Sequence, residues 1–173
     1  MKPKKSNLKT NREYFTPFHR ILECISFACL IACFVLAVIA MRTFPDTIPT
    51  HFTIDGTPDG YGSPSSMLVL PLIIAPCLVL LSLIAHFVPV QYWNMPFRVS
   101  SSPDVARAVY QKILTLEYLI QAEISIFTLL SQIQSFRLSG KGVLLGCGLL
   151  MIAMIISIAV PVVQAYRINK TAP

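Results

Sequence analysis

Charged residues are scarce in this chain of 173 residues. Aspartate, glutamate, lysine and arginine together make up 13% of it, whereas soluble domains carry about 25%. The sequence also lacks a CxxC pair, an HExxH motif, a serine or cysteine nucleophile motif and a glycine-rich phosphate loop. These absences argue against a standard zinc site and against the common hydrolase and nucleotide-binding classes. We therefore expect a protein that is not an enzyme and that uses no metal or other cofactor.

Hydrophobic residues make up 54% of the chain, and many of them lie in long apolar runs. Four runs reach the length of about 20 residues that a helix needs to cross a bilayer. They predict an all-α membrane protein with a transmembrane domain over residues 21–166. Its four helices are expected at residues 21–41, 67–90, 109–136 and 142–166.

Two of these runs carry further signals. We expect the first to be an uncleaved anchor, because no A-x-A pair precedes its polar exit. The second contains Pro71, Pro76 and Pro89, and prolines within a helix are expected to kink it.

Lysine and arginine are distributed unevenly between the segments that join the runs. They concentrate in the tail (residues 1–20), between the second and third runs, and after the fourth run (residues 167–173). The positive-inside rule then predicts that both termini are cytoplasmic and that the loop at residues 42–66 is extracellular. The basic tail would touch anionic lipid. It lacks the interleaved aromatic residues of a nucleic-acid-binding segment, so we expect no nucleic-acid partner.

The third run has an ordered polar side. Ser102 and Pro103 predict a helix start that leads into this run, as N-cap and first helical residue. Polar residues then recur every three or four positions, which places them on one helix face. Such a face must contact protein or water. It would either line a polar pathway or join helices by hydrogen bonds, including helices of a second copy in a homo-oligomer. The face comprises Glu117, Gln121, Ser125, Thr128, Gln132 and Ser135. Glu123 lies on another side and has no assigned role.

The polar loop at residues 44–66 combines four prolines, three glycines and three acidic residues. A strand over residues 51–54, followed by turns at Asp55 and at Asp59, predicts a short hairpin. Asp46, His51, Asp55 and Asp59 do not match a zinc or EF-hand ligand pattern, so we expect no metal there. The candidates for binding a ligand or fixing the loop are therefore His51, Asp55, Asp59 and Tyr61.

The loop residues also carry a family resemblance. Ile48-Pro49-Thr50-His51-Phe52, followed by Gly56-x-Pro58-Asp59-Gly60-Tyr61-Gly62-Ser63, resembles the signature of the domain of unknown function 1648 family. A second motif of that family resembles Asn94-Met95-Pro96 with Val99-Ser100. Thr53 stands where the family often has asparagine, and Pro64 where it often has a basic residue. The family consists of small membrane proteins and includes the N-terminal part of toxin-immunity proteins of the sporulation-delay type. The resemblance implies a bacterial-type plasma-membrane protein in immunity or signalling.

Three functions fit these observations. The first is a non-enzymatic binding protein that recognises a peptide toxin or another membrane protein through the extracellular loop. The second is a subunit of an oligomeric small-solute or ion transporter, with Glu117, Gln121 and Gln132 along its route. The third is a membrane enzyme in which His51 and Asp59 form an acid–base pair. The first is our prediction, with the lipid bilayer as a further partner.

Overall fold

Helices dominate the computed structural model, which describes residues 11–53, 55–138 and 143–171. Short 3-10 helices precede α1, precede α2 and follow α2, at Asn11–Glu13, Pro64–Leu68 and Val90–Tyr92. In chain order the other elements are α1 (Pro17–Thr43), β1 (Ile48–Phe52), β2 (Pro58–Gly62), α2 (Val69–Phe87), α3 (Pro103–Arg137) and α4 (Val143–Lys170).

Four helical segments are long and apolar enough to cross a membrane, which confirms the predicted fold class. The second segment ends earlier than expected. Its helix stops at Phe87, and Val88 is extended with φ −91° and ψ 111°. The expectation that Pro89 lies inside this span is therefore wrong, because a residue that precedes proline is pushed out of the helical region. Pro76 does lie inside α2. The four segments are Pro17–Thr43, Pro64–Phe87, Pro103–Arg137 and Gly148–Lys170.

The first helix starts at Pro17, four residues before the predicted start, because a capping box closes its N-terminus. Thr16 Oγ1 accepts a hydrogen bond from the His19 N–H at 3.4 Å, and His19 Nδ1 accepts one from the Thr16 N–H at 3.2 Å. An accepting Nδ1 carries no proton, so Nε2 carries it and donates to Thr115 Oγ1 at 2.8 Å. His19 thus takes the place that glutamate or glutamine usually holds in this motif, and it also joins α1 to α3.

The start of α3 agrees with the sequence. Ser102 is the N-cap residue and Pro103 is the first helical residue, as predicted. The Ser102 side chain makes no capping hydrogen bond, however. Instead, the Ser102 N–H donates to Ser100 Oγ at 3.2 Å. The helix ends at Arg137, where Leu138 takes the left-handed conformation with φ 53°.

The core of the bundle consists of separate clusters at its two ends. One cluster lies near the start of α1 and the end of α2, and another lies under the strands, near the end of α1 and the start of α2. The helices are therefore held together at both ends by apolar contacts. The first cluster comprises Leu22, Ala85, Leu114, Tyr118 and Ala122, and the second comprises Ala37, Ala40, Ile48 and Met67. A third cluster, at the same end as the first, adds α4 to the core and comprises Val90, Val109, Ile113 and Ala165.

Asn11 fixes the C-terminal end of α2 from outside the helix. Its amide nitrogen donates to the Ala85 carbonyl at 2.7 Å and to the Val88 carbonyl at 2.8 Å. Its side-chain oxygen accepts from the Val90 N–H at 2.7 Å. The side chain is completely buried. Two carbonyls at the helix end and one amide beyond it are thus satisfied by one residue, which ties the segment before α1 to α2.

We expect Asn11→Ala to destabilise the protein by about 1–3 kcal/mol, since it leaves buried backbone groups without partners. Denaturant titration in detergent micelles would measure this loss as a lower free energy of unfolding. Arg12→Ala, at the exposed neighbouring position, should change stability by no more than about 0.5 kcal/mol. Equal stabilities of the two variants would show that Asn11 does not hold the end of α2.

Candidate functional site

The loop between α1 and α2 folds as the predicted hairpin, with different strand limits. Strand β1 covers Ile48–Phe52 and pairs with β2 (Pro58–Gly62) in antiparallel register. It therefore starts three residues earlier than expected and ends before Thr53, while Ile54 lies outside the described residues. Pro49 and Pro58 fit this arrangement, because both strands of a two-stranded sheet have an open edge that needs no proline N–H.

The turn of the hairpin is closed by backbone and side-chain hydrogen bonds. Thr53 N–H donates to the Thr57 carbonyl, and Gly56 N–H donates to the Thr53 carbonyl, both at 2.9 Å. Gly56 has φ 86°, a left-handed conformation that glycine adopts without strain. The Asp55 carboxylate accepts from the Thr53 hydroxyl and from the hydroxyl and N–H of Thr57. The hydroxyl donors of Thr53 and Thr57 lower the pKa of Asp55 below its ordinary value.

His51 and Asp59 clamp the two strands together. His51 Nδ1 lies 2.5 Å from Asp59 Oδ1, and both side chains are exposed. Gly60 lies opposite His51 in the sheet. A Cβ atom at Gly60 would come within 2.9 Å of the His51 Cβ, so the close pairing of the strands requires glycine there. Tyr61 pairs with Pro49 and has an exposed side chain.

The hairpin is seated on the helices by Ile48 and by the 3-10 helix that follows β2. Ile48 is completely buried against Ala37, Ala40 and Met67. Gln132 of α3 donates to the Met67 carbonyl at 2.8 Å and to the Cys33 carbonyl of α1 at 3.3 Å. One amide group therefore fixes the 3-10 helix, α1 and α3 relative to one another beneath the hairpin.

A cavity of about 410 Å³ lies where the hairpin meets α2 and α3. Its walls carry hydroxyl groups from β1, the 3-10 helix and α3, and apolar side chains from α2. Because Gln132 also lines it, the residue that fixes the hairpin end borders the cavity directly. The hydroxyl-bearing residues are Thr50, Ser66, Ser131 and Ser135, and the apolar ones include Leu70 and Ile73.

The predicted polar face of α3 does point into the bundle. Gln121, Ser125, Thr128 and Gln132 are buried, which confirms that this side of α3 faces protein. The serine and threonine hydroxyls donate to carbonyls of their own helix, as Ser125 does to Gln121 at 2.8 Å. Glu117 and Gln121 are in contact, whereas Gln132 acts at the hairpin end. The structure therefore divides the three intramembrane candidates between two places.

A second polar group joins three helices in the half of the bundle away from the hairpin. Ser82 Oγ of α2 lies 2.9 Å from Glu23 Oε1 of α1 and 3.3 Å from Gln121 Oε1 of α3. His86 Nδ1 lies 3.7 Å from the same Glu23 oxygen. Glu23, Ser82 and His86 are not among the residues that the sequence pattern marked as candidates. The available signal was an ionisable residue inside an apolar run, which marks a functional candidate by default.

Glu123 acquires a partner that the sequence did not indicate. Its Oε1 accepts a hydrogen bond from Ser157 of α4. Glu123 lies off the polar face because its side chain points toward α4 and joins α3 to α4 through this hydrogen bond. Within the described residues, no group of three or more His, Cys, Asp or Glu side chains is arranged to hold a metal ion.

Helices of this length and composition define the chain as a multi-span membrane protein. Residues 28–75 match the model of the family described as domain of unknown function (DUF1648). This match confirms the resemblance carried by the hairpin residues, and it ends before the second motif at Asn94–Pro96. No curated protein and no solved structure matches the chain.

We expect Gly60→Ala to loosen the hairpin, because the added methyl group meets the His51 Cβ at 2.9 Å. The Thr53 and Gly56 amides should then exchange with solvent about tenfold faster, as expected for a loss of about 1.4 kcal/mol in local opening free energy. Amide hydrogen exchange detected by NMR measures this. The control is Gly148→Ala, where nothing lies within 4 Å of the added carbon; it should leave both amides unchanged. Unaltered exchange in Gly60→Ala would contradict the close pairing.

Thr53→Val should raise the pKa of Asp55 toward its ordinary value, because the substitution removes a hydroxyl donor to the carboxylate. Because the pKa of Asp55 is lower in the folded hairpin than in the unfolded chain, its carboxylate stabilises the hairpin at pH values above the unfolded pKa. That stabilisation is lost as the pH falls through the folded value, so the variant should lose less hairpin order on acidification. Carboxyl NMR titration measures the shift. The control is Thr47→Val, at an exposed position before β1, which should leave the pKa of Asp55 unchanged. An unchanged pKa in Thr53→Val as well would show that the Thr53 hydroxyl does not lower it.

Proposed function

We propose that this protein is a non-enzymatic binding protein of the plasma membrane, which recognises a peptide or another membrane protein at its hairpin end. The observation that carries the proposal is the cavity of about 410 Å³ between the hairpin, α2 and α3. Ligand sites are concave, and they combine apolar walls with a few placed polar groups. The cavity has both kinds of wall, and its hairpin side lies in the segment that matches the family model.

Preorganisation of the hairpin supports a binding role. The turn is closed by the hydrogen bonds of Asp55, the strands are clamped by His51 and Asp59, and Ile48 is buried against the helices. A loop that is already ordered loses little conformational entropy on binding, so more of the contact energy contributes to affinity. His51 and Asp59 act in this proposal as positioning residues for the recognition surface.

The lining of the cavity favours a peptide as the ligand. The hydroxyl of Thr50 would bond the polar backbone of a bound segment. The hydroxyl protons of Ser66 and Ser135 are donated to the carbonyls of Ser63 and Ser131, so these two oxygens would only accept hydrogen bonds from N–H groups of that segment. Leu70 and Ile73 would receive an apolar side chain. The uneven distribution of lysine and arginine supports an extracellular hairpin and cytoplasmic termini. A peptide toxin that reaches the cell from outside would meet this end of the protein first, which is the basis for proposing an immunity role.

The hydrogen bonds of α3 argue against the alternative that the protein is a transporter subunit. The hydroxyls of Ser125 and Thr128 donate to carbonyls of their own helix, and Gln132 bonds two other segments. These side chains are therefore occupied in packing the bundle. The enzyme alternative has the contact between His51 and Asp59 in its favour. It still requires a nucleophile or an activated water, and the sequence offers no nucleophile motif.

Crosslinking in living cells tests the proposal. A photo-crosslinking amino acid replaces Thr50, which lines the cavity, or Tyr92, which is exposed in the segment after α2. The probe is a synthetic copy of a peptide toxin encoded beside the gene, and tolerance to that toxin is measured in parallel. We expect a crosslink from position 50 and none from position 92.

A cavity-filling variant supplies the matched control. Ser135→Trp should reduce probe binding at least about tenfold, which corresponds to about 1.4 kcal/mol, and should abolish tolerance. Ser101→Trp, at an exposed position before α3, should retain both. The proposal fails if position 50 captures no probe, or if Ser135→Trp binds the probe and protects cells as well as the unmodified protein.

A further inference from the structure

Two carboxylates from different helices are joined by a chain of hydrogen bonds in the half of the bundle away from the hairpin. Glu23 lies on α1 and Glu117 on α3, and both belong to segments that can cross a membrane. Ser82 and Gln121 stand between them. Ser82 Oγ reaches Glu23 Oε1 at 2.9 Å and Gln121 Oε1 at 3.3 Å, and Gln121 Nε2 donates to Glu117 Oε1.

The hydrogen-bond inventory of this group is asymmetric. Ser82 has one hydroxyl proton but faces two oxygens, so it can donate to only one of them at a time. An anionic Glu23 would take that proton as an acceptor. Gln121 can donate its amide N–H to Glu117 whether or not Glu117 is charged. Glu23 therefore accepts from a hydroxyl and Glu117 from an amide N–H, and the amide N–H serves a neutral Glu117 as well as an ionised one.

The polar groups around Glu23 also favour a negative charge on it. His86 of α2 donates its Nδ1–H to the Ser82 carbonyl at 2.8 Å, because a carbonyl can only accept. The same N–H lies 3.7 Å from Glu23 Oε1, where it stabilises negative charge. Tyr118 of α3 places its hydroxyl 3.4 Å from His86 Nδ1, and its ring stacks on His19 of α1 at 5.6 Å. These groups, with Glu117 itself, are the titratable side chains around Glu23.

Glu117 has the opposite environment. Its Oε2 is buried and has no hydrogen-bond partner in the described part of the chain. An ionised carboxylate with an unpaired buried oxygen is costly in an apolar medium. Glu117 also lines a cavity of about 290 Å³, whose other walls include Trp93, Asn94 and Val162. Glu117 therefore borders a cavity, and its unpaired oxygen is itself shielded from water, so the carboxyl group must turn toward the cavity before it can exchange a proton there.

We propose that Glu23 and Glu117, which are joined through Ser82 and Gln121, form an intramembrane proton-binding site that holds a single proton. Glu117 carries the proton as a neutral acid, and Glu23 carries the charge. Release breaks the O–H bond of Glu117 and transfers the proton to water in the cavity, which leaves two like charges that repel each other. Ser82 and Gln121 orient the carboxylates and do not pass the proton on. The site is independent of ligand binding at the hairpin.

Infrared spectroscopy of the purified full chain in lipid vesicles tests the assignment, because a protonated carboxylic acid and a carboxylate absorb at different frequencies. Glu117→Gln should remove a carboxylic-acid band at neutral pH. Glu23→Gln should remove carboxylate absorption and keep that band. Glu123→Gln is the matched control, since Glu123 also has a buried Oε2 without a hydrogen-bond partner in the described part of the chain, while its Oε1 bonds Ser157 of α4; it should leave the Glu117 band in place. The proposal is overturned if the Glu117→Gln spectrum retains every acid band of the unmodified protein.

A second measurement tests whether the two carboxylates hold a single proton. In Glu23→Gln the neighbouring negative charge is gone, so the Glu117 acid band should disappear at a lower pH than in the unmodified protein. The expected difference is more than about one pH unit, as for strongly coupled groups. If Glu117→Gln does not fold, this comparison alone decides the question. A band that disappears at the same pH in both proteins would show that the two carboxylates titrate independently.

Discussion

Polar groups inside apolar helices must find their partners within the protein, and the whole arrangement depends on this constraint. Gln132 is the clearest case. Its amide bonds carbonyls from α1 and from the 3-10 helix before α2, so three segments are fixed by a single side chain. Asn11 does the same at the other end, where it bonds two carbonyls and one amide around the end of α2. The apolar contacts bring the helices together, and these amides fix their relative positions.

The position of the hairpin also depends on the need to pair polar groups within the bundle. Its own hydrogen bonds close the turn, but they do not determine where it sits. Burial of Ile48 and the bond from Gln132 to the Met67 carbonyl attach its two ends to the bundle. The space left between β1, α2 and α3 is a consequence of that attachment. A cavity formed in this way has walls from three elements, and any change that moves one wall changes its shape.

Regular patterns were predictable from the sequence, and contacts between distant residues were not. Apolar run length predicted four spans, the spacing of polar residues predicted the buried face of α3, and Ser102 with Pro103 predicted its start. The roles of His19 and Asn11 were missed because each depends on a partner that composition does not reveal: His19 replaces glutamate in a capping box, and Asn11 looks like part of a polar tail. The strand limits were misjudged because prolines normally end strands, and only an open edge tolerates them.

The two candidate sites differ in their relation to the family. The match at residues 28–75 includes the hairpin, Cys33 and Met67, so most of the surface around the first cavity lies in the segment that matches the family model. Glu23, Ser82 and Glu117 all lie outside that segment. The helices that link them are shared, however, because α1 carries both Glu23 and the Cys33 carbonyl that Gln132 binds.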